Sequence, residues 1–157
     1  MSATASNIAT IVDTIAAVGG TVTGVTSVWG CGTGLVTDPL LTPGKVRPFG
    51  ANVPSEGAWA VELPGAPTLT WEGVGSVVVV WPVTARLYVR TADLATTRRV
   101  LAPFYGAFLD AFASHLLLGG LCEGALITSF TVAGDADWAW LETVVSVRER
   151  LLLTMAP

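Results

Sequence analysis

The stretch Gly75–Arg90, GSVVVVWPVTARLYVR, decides the fold because it contains the clearest strand pattern of the chain. Its second half alternates between an apolar and a polar side, namely Val83, Ala85, Leu87 and Val89 against Thr84, Arg86, Tyr88 and Arg90. Successive side chains of a strand point to opposite faces, so this half predicts a half-buried strand. The first half is apolar throughout Val77–Trp81, which predicts burial on both faces and leaves the cover of the second face to be found.

The composition indicates one domain with an unusually uncharged surface. The 157 residues are typical of a single domain spanning 1–157. Charged residues make up 13% of the chain, against about 25% in soluble domains, while 52% of the residues are apolar and six are tryptophan. A dispersed monomer needs more surface charge than this, so we expect much of the surface to face other protein.

A membrane is the competing explanation for the low charge, and the sequence disfavours it. The longest uncharged run, Thr14–Thr37, is rich in glycine and threonine, whereas a spanning helix needs about 20 predominantly apolar residues. The start, MSATASNIATIVD, has no basic segment and no compact apolar core, so it does not resemble a secretory signal. We therefore expect no membrane partner and synthesis in the cytoplasm.

Charge and cysteine content limit the possible partners further. The net charge is −4 with only eight Lys and Arg residues, which disfavours a broad cationic face for duplex DNA. Cys31 and Cys122 do not make a metal-binding set, and a cytosolic setting favours two reduced, buried thiols over a disulfide.

The pattern of apolar residues and turn residues predicts an α+β fold. The expected helices are a short N-terminal one over Ser6–Val18, closed by Gly19 and Gly20, and a main one over Asp93–Leu118, capped by Asp93. Pro103 is expected either to kink the main helix or to mark the start of a second segment. The expected strands are Thr21–Trp29, Trp59–Leu63, Thr68–Trp71 and Val77–Arg90, followed by a closing hairpin of Ala125–Val132 and Trp138–Leu153. Strands that segregate with one long helix indicate an antiparallel sheet with that helix packed across it.

Two segments are predicted to serve contacts rather than the core. Residues 37–57 are rich in proline and glycine but contain apolar side chains such as Leu40 and Phe49, which favours an interaction loop over disorder. Residues 68–82 are predicted to form an extended β-hairpin arm. Pro82 lacks a backbone donor, so we expect it at an edge or a bulge, as a joint between the two halves of the strand.

No residue pattern indicates catalysis, so the chain is not expected to be an enzyme or to need a cofactor or metal. His115 is the only histidine, and no oriented nucleophile accompanies it. Asp135 and Asp137 are interpreted as turn formers, because a calcium loop needs several more ligands. An alternative is a small-ligand binding module, with a pocket between sheet and helix lined by Trp71, Trp81, Phe104 and Phe108.

Candidate interface residues follow from the apolar strand and from the tryptophans and arginines, which are enriched at interfaces. The apolar candidates are Val77, Val78, Val79, Val80, Trp81, Trp71, Trp59 and Phe49, with core packing as the alternative for Trp81. The charged candidates are Arg86, Arg90, Arg148 and Arg150, which would form one patch if their strands are neighbours. Two interpretations of the arginines stay open here, a solvated sheet face and an interface with acidic partners.

The element order resembles that of the tail terminator (tail completion) proteins of long-tailed bacteriophages. The matching segments are Ser6–Val18, the hairpin Thr68–Arg90, the helix LATTRRVLAPFYGAFLDAFASHL, and the closing pair ALITSFTV and TVVSVRERL. The resemblance implies a virion protein of the tail or neck that forms a ring, usually a hexamer. Such a ring caps the tail tube, stops its polymerisation and joins it to the head connector, and DNA passes non-specifically through the lumen. Another phage neck or tail-tube subunit is the nearest alternative.

This resemblance suggests a first answer for the opening stretch. Val83–Arg90 is expected to be the ordinary part of the strand, with Val83, Ala85, Leu87 and Val89 facing the main helix. Val77–Trp81 is expected to project beyond that helix as an arm. A neighbouring subunit would then cover the second face of the arm.

Overall fold

The computed structural model of the chain describes residues 2–3, 5–31, 46–48 and 56–154. The described strands are β1 (Ser2–Ala3), β2 (Ser27–Gly30), β3 (Val46–Pro48), β4 (Ala58–Val61), β5 (Thr68–Trp71), β6 (Ser76–Arg90), β7 (Gly124–Gly134) and β8 (Trp138–Thr154). The helices are α1 (Ile8–Gly20) and α2 (Leu94–Ala113), followed by a 3₁₀ turn at Leu118–Gly120.

The strands form one mixed sheet, which confirms the predicted α+β class. Its order is β1-β8-β6-β4-β2-β3, with β5 beside β6 and β7 beside β8. The prediction of a purely antiparallel sheet is wrong, because β2 runs parallel to both β3 and β4. Parallel neighbours need a crossover of a dozen or more residues, and the segment 31–57 between β2 and β4 is long enough to supply one. The strand β3 lies inside the predicted interaction loop 37–57, most of which is outside the described residues.

The two longest strands form the frame of the sheet and define its two faces. β6 has 15 residues and pairs antiparallel with β8 from Ser76–Leu152 to Arg90–Trp138. Directly paired residues of antiparallel strands project to the same side. Odd-numbered residues of both strands therefore share one face, called here the core face, and even-numbered residues share the outer face.

The core face joins the buried side chains of α1 and α2 in one apolar cluster. Trp59 of β4 is fully buried and stacks on Phe108 of α2 with ring centroids 4.4 Å apart. Gly19 makes this packing possible, since a Cβ atom there would lie 2.1 Å from the indole nitrogen of Trp59. The helix ends at the predicted glycine pair, but α1 includes both glycines and so runs two residues beyond the predicted end at Val18.

The main helix begins as predicted and ends earlier. Asp93 caps it by accepting a 2.9 Å hydrogen bond from the Thr96 N–H, and hydrogen bonds from Thr96 lower the pKa of Asp93. The helix continues through Pro103 and ends at Ala113, short of the predicted end at Leu118. The chain turns there, since Leu118 and the two glycines after it all have positive φ angles.

Pro82 lies where its missing N–H costs no hydrogen bond. The carbonyl oxygens of Ser76, Thr84 and Tyr88 accept hydrogen bonds from N–H groups next to β5 and β4. The backbone N–H and C=O groups of even-numbered β6 residues therefore point toward the edge of β6 that faces β5 and β4. On this edge β5 pairs with residues 77–80 and β4 with residues 85–87. The proline nitrogen therefore faces the interval between two partner strands, as expected for proline in a sheet.

A second, smaller apolar cluster lies on the outer face. Its buried members are Ala58, Ala60 and Tyr88, and its half-buried members are Trp29, Trp138 and Trp140.

Candidate functional site

The end of the sheet where β5 and β6 form a hairpin is the candidate interaction site, and it will be called the hairpin end (residues 68–80). Val77, Val78 and Val79 are only 6%, 2% and 2% exposed within the single chain. The segment therefore does bury both faces, as its unbroken apolar run predicts. The cover of the second face comes from this chain, so these three valines leave little area for a neighbouring subunit.

Two arginines of β8 lie over the outer face of the hairpin end. Arg150 is the direct cross-strand neighbour of Val78, and Arg148 is the neighbour of Val80. Long basic side chains cover apolar surface with their methylene stems while their charged groups remain in water. The stems of Arg148 and Arg150 thus cover the outer side of the apolar strand.

An ion network holds these two arginines in place. Arg150 pairs with Glu72 and with Glu123, the latter at 2.6 Å, while Arg148 lies 3.0 Å from Glu123 and 3.5 Å from Glu72. Hydrogen bonds from Arg150 and Arg148 lower the pKa of Glu123, and those to Glu123 and Glu72 raise the pKa of Arg150. Glu72 follows β5 and Glu123 precedes β7, so the network ties both flanking strands to β8.

The core face of the hairpin end contains a buried carboxylate. Glu149 is 4% exposed and is the direct cross-strand neighbour of Val79. It accepts hydrogen bonds from the Trp81 indole at 2.8 Å, the Ser6 hydroxyl at 2.7 Å and the Asn7 N–H at 2.9 Å. Asn7 is the N-cap of α1, and its own side chain makes no capping bond. The Ser6 hydroxyl oxygen in turn accepts from the Ile8 N–H at 3.2 Å, so Glu149 anchors the residues that lead into α1.

The other two arginines of interest lie at the opposite end of the outer face. Arg86 pairs with Glu62 and Glu142, both at 3.1 Å. Burial lowers the pKa of Arg86, but hydrogen bonds with Tyr88 and Glu142 outweigh it and raise that pKa. Arg90 stacks over Trp138 at 4.3 Å from its ring centroid.

The four arginines share one face, as predicted from their strand positions, but they do not form one cationic patch. Arg148 pairs with Val80, six positions along β6 from Arg86, which corresponds to about 20 Å. Three of the four, Arg86, Arg148 and Arg150, also pair with glutamates of this chain. A role of the four in contacts with acidic partners stays a prediction.

The remaining interface candidates differ in exposure. Trp71 is 64% exposed, Val80 and Trp81 are half-buried, and Trp59 is fully buried. Trp59 is thus a core residue, because its ring fills the space between α1 and Phe108. Phe49 lies outside the described residues.

Two residues of the exposed apolar surface at the hairpin end were not selected by the sequence analysis. Leu69 is 55% exposed and Val74, in the turn between β5 and β6, is 79% exposed. Together with Trp71 they give the hairpin end an exposed apolar surface, and Leu69 and Trp71 both project from its core face. The one sequence signal for them was their position beside a Gly-rich turn, which does not distinguish a covered residue from an exposed one.

The aromatic pocket of the alternative ligand-binding hypothesis is not formed. Trp71 pairs with Val77, whereas Phe108 stacks on Trp59, which pairs with Leu87. Ten positions along β6 correspond to about 33 Å, so Trp71 and Phe108 cannot line one pocket.

A separate apolar groove lies at the edge of the sheet formed by β7. It has a volume of about 140 Å³ and lies between the end of α2 and the start of β7. Its lining includes Leu109, Phe112, Leu116 and Ile127. Leu109 and Leu116 are 48% and 42% exposed, so the groove has an apolar rim.

Reactive groups do not gather anywhere in the described part of the chain. Among residues 2–3, 5–31, 46–48 and 56–154, no three His, Cys, Asp or Glu side chains are grouped to hold a metal ion. Cys31 and Cys122 are free thiols whose pKa values are raised by burial. The His115 ring bonds to the Ala111 carbonyl at 2.9 Å, as expected of a residue that ends a helix. No helix of the described residues is long and apolar enough to cross a membrane.

Comparison with known proteins leaves the family of the chain undefined. Protein-family models give no match, and a search of curated proteins finds no significant relative.

Proposed function

We propose that this chain is a structural virion subunit that assembles into a homo-oligomeric ring, in the manner of the tail terminators of long-tailed bacteriophages. The ring, with six subunits as the expected number, would cap the tail tube and join it to the head connector. DNA would pass through its lumen. The subunit acts through its shape and its surfaces, without a reaction.

The observation that carries the proposal is the exposed apolar hairpin end on a rigid frame. Leu69 and Trp71 are 55% and 64% exposed on a strand that is paired into the sheet, and Val74 is 79% exposed in the adjoining turn. Soluble monomers rarely expose contiguous apolar patches of this kind unless the patch meets a partner. In this proposal the hairpin end is the extended arm, and α2 is the long helix that packs on the core face.

The charge pattern of the outer face agrees with a passage for DNA. Three of its arginines are paired with glutamates, and the whole chain has a net charge of −4. A surface without excess positive charge attracts a polyanion weakly, which suits a channel that DNA must cross. Another neck or tail-tube subunit would have the same need and is the second candidate.

Light scattering coupled to size-exclusion chromatography, followed by negative-stain imaging of the purified chain, tests the proposal. We expect closed rings of one size. Long stacks of rings would favour the tail-tube alternative. A monodisperse monomer at high protein concentration that is also not incorporated into particles would overturn the proposal.

A further inference from the structure

Two apolar features lie at opposite lateral edges of the sheet. Trp71 is the only exposed aromatic side chain among the described residues, and it projects from β5 at one edge. The apolar groove of Leu109, Phe112 and Leu116 lies beside β7 at the other edge.

The two features match in size and in chemistry. An enclosed apolar cavity of about 150 Å³ accommodates one benzene ring, and the groove has a volume of about 140 Å³. Tryptophan is one of the residues enriched among interface hot spots, which cluster in well-packed pockets. The groove is thus of a size to receive the six-membered ring of an indole, and Trp71 offers an exposed indole.

The two features also lie on the same side of the sheet. Trp71 pairs with Val77 and therefore projects from the core face. The groove is lined by α2 and by Ile127, which pairs with the core-face residue Val145. If a second copy lies beside the first with the core faces of both sheets on the same side, Trp71 of one copy comes next to the groove of the other.

The same placement brings together two strand edges. Within the described part of the chain, β5 pairs only with β6, and β7 pairs only with β8. An unpaired edge is a template for another strand. The hairpin end cannot reach the groove of its own chain, because β6 and β8 hold β5 and β7 about 14 Å apart.

We infer that the chain associates head to tail, with Trp71 of one copy in the Leu109–Leu116 groove of the next. This inference rests on the proposed function and names the surface by which the ring would form. Contacts between two different surfaces generate a closed ring or an open filament, whereas a self-complementary surface stops at a dimer.

Two variants separate the halves of this interface. Trp71→Glu removes the aromatic anchor and leaves the groove intact. Leu109→Glu places a charge at the apolar rim of the groove and leaves the anchor intact. Both residues are about half exposed or more, so each variant is expected to fold. Leu94→Glu is the matched control, since Leu94 is 59% exposed at the start of α2 and belongs to neither surface.

We expect each interface variant alone to be a folded monomer, with self-association weakened at least about thirty-fold. An equimolar mixture of the two should form a one-to-one dimer, because only one intact anchor and one intact groove can meet. The control should assemble like the wild-type chain. Light scattering measures the masses, and circular dichroism verifies folding.

The outcomes distinguish this inference from the proposed function. Wild-type rings together with unimpaired assembly of either variant would overturn the inference and leave the proposed function standing. Two monomeric variants that do not combine would overturn it too, since that result indicates a self-complementary surface. A wild-type chain that is a monomer at high protein concentration and is also not incorporated into particles would overturn both.

Discussion

The carboxylate of Glu149 accepts a 2.8 Å hydrogen bond from the indole nitrogen of Trp81, and this pair joins the two longest strands on the core face. The same carboxylate accepts hydrogen bonds from the Ser6 hydroxyl and the Asn7 N–H, just before α1. One buried side chain therefore connects the hairpin strand, the closing strand and the first helix. An acceptor with three donors is more costly to remove than a surface charge, because its partners stay buried without it.

Replacing Glu149 by Gln tests this role. The amide keeps one acceptor oxygen but directs N–H groups at donors, so we expect the free energy of unfolding to fall by about 1.5–3 kcal/mol. Glu142→Gln is the matched control on the outer face of the same strand, where an exposed pair contributes at most about 1 kcal/mol. Urea denaturation measures both. Equal losses for the two variants would mean that Glu149 has no special role.

Aspartate at two adjacent valines should have unequal effects. Val79→Asp places a charge beside the buried Glu149, and we expect a loss of more than about 3 kcal/mol of stability. Val78→Asp places the same charge beside Arg150, which compensates part of the cost, so the loss should be smaller by at least about 1 kcal/mol. Chemical denaturation of both variants provides the comparison. A Val78→Asp variant that is the less stable of the two would contradict the assignment of faces.

Adding one methyl group at two helical glycines should have opposite effects. At Gly19 the new Cβ would meet Trp59 at 2.1 Å, so Gly19→Ala should destabilise the chain by about 1–3 kcal/mol. At Gly106, inside α2, nothing lies within 4 Å, so Gly106→Ala should stabilise by about 0.5–1 kcal/mol. Thermal unfolding followed by circular dichroism measures both changes. Stabilisation by both would mean that Trp59 does not pack against α1.

The ion network should make stability depend on pH in the acidic range. Glu123 has a lowered pKa in the folded chain because Arg150 and Arg148 donate to it. Its contribution is present above the pKa of an unfolded glutamate, about 4.3, and is lost as the pH falls through the lowered value. Glu123→Gln should therefore flatten the decline of stability below about pH 4, as measured by urea denaturation across pH. An unchanged pH profile would contradict this role, and 1 M salt should weaken the same contribution.

Much of the frame was predictable from the chain alone. The alternation in Val83–Arg90 predicted a half-buried strand, and Val83, Ala85 and Leu87 are all fully buried. The Asp93 cap was also predictable, because capping depends on residues three apart in sequence. Such features are local, so neighbouring residues are sufficient to specify them.

The sequence did not indicate which strands run parallel to β2, or that the carboxylate of Glu149 would bond to Ser6 and Asn7 just before α1. It established the apolar run Val77–Trp81 and its burial on both faces. Only the tertiary structure decided that Arg148, Arg150 and Glu149 of β8 lie against it, while apolar residues such as Trp71 and Leu69 beside it stay exposed. The physical reason is that alternation along a strand assigns each side chain to one face of the sheet. The residues that cover that face belong to a strand some seventy positions away, and local sequence patterns do not encode this pairing.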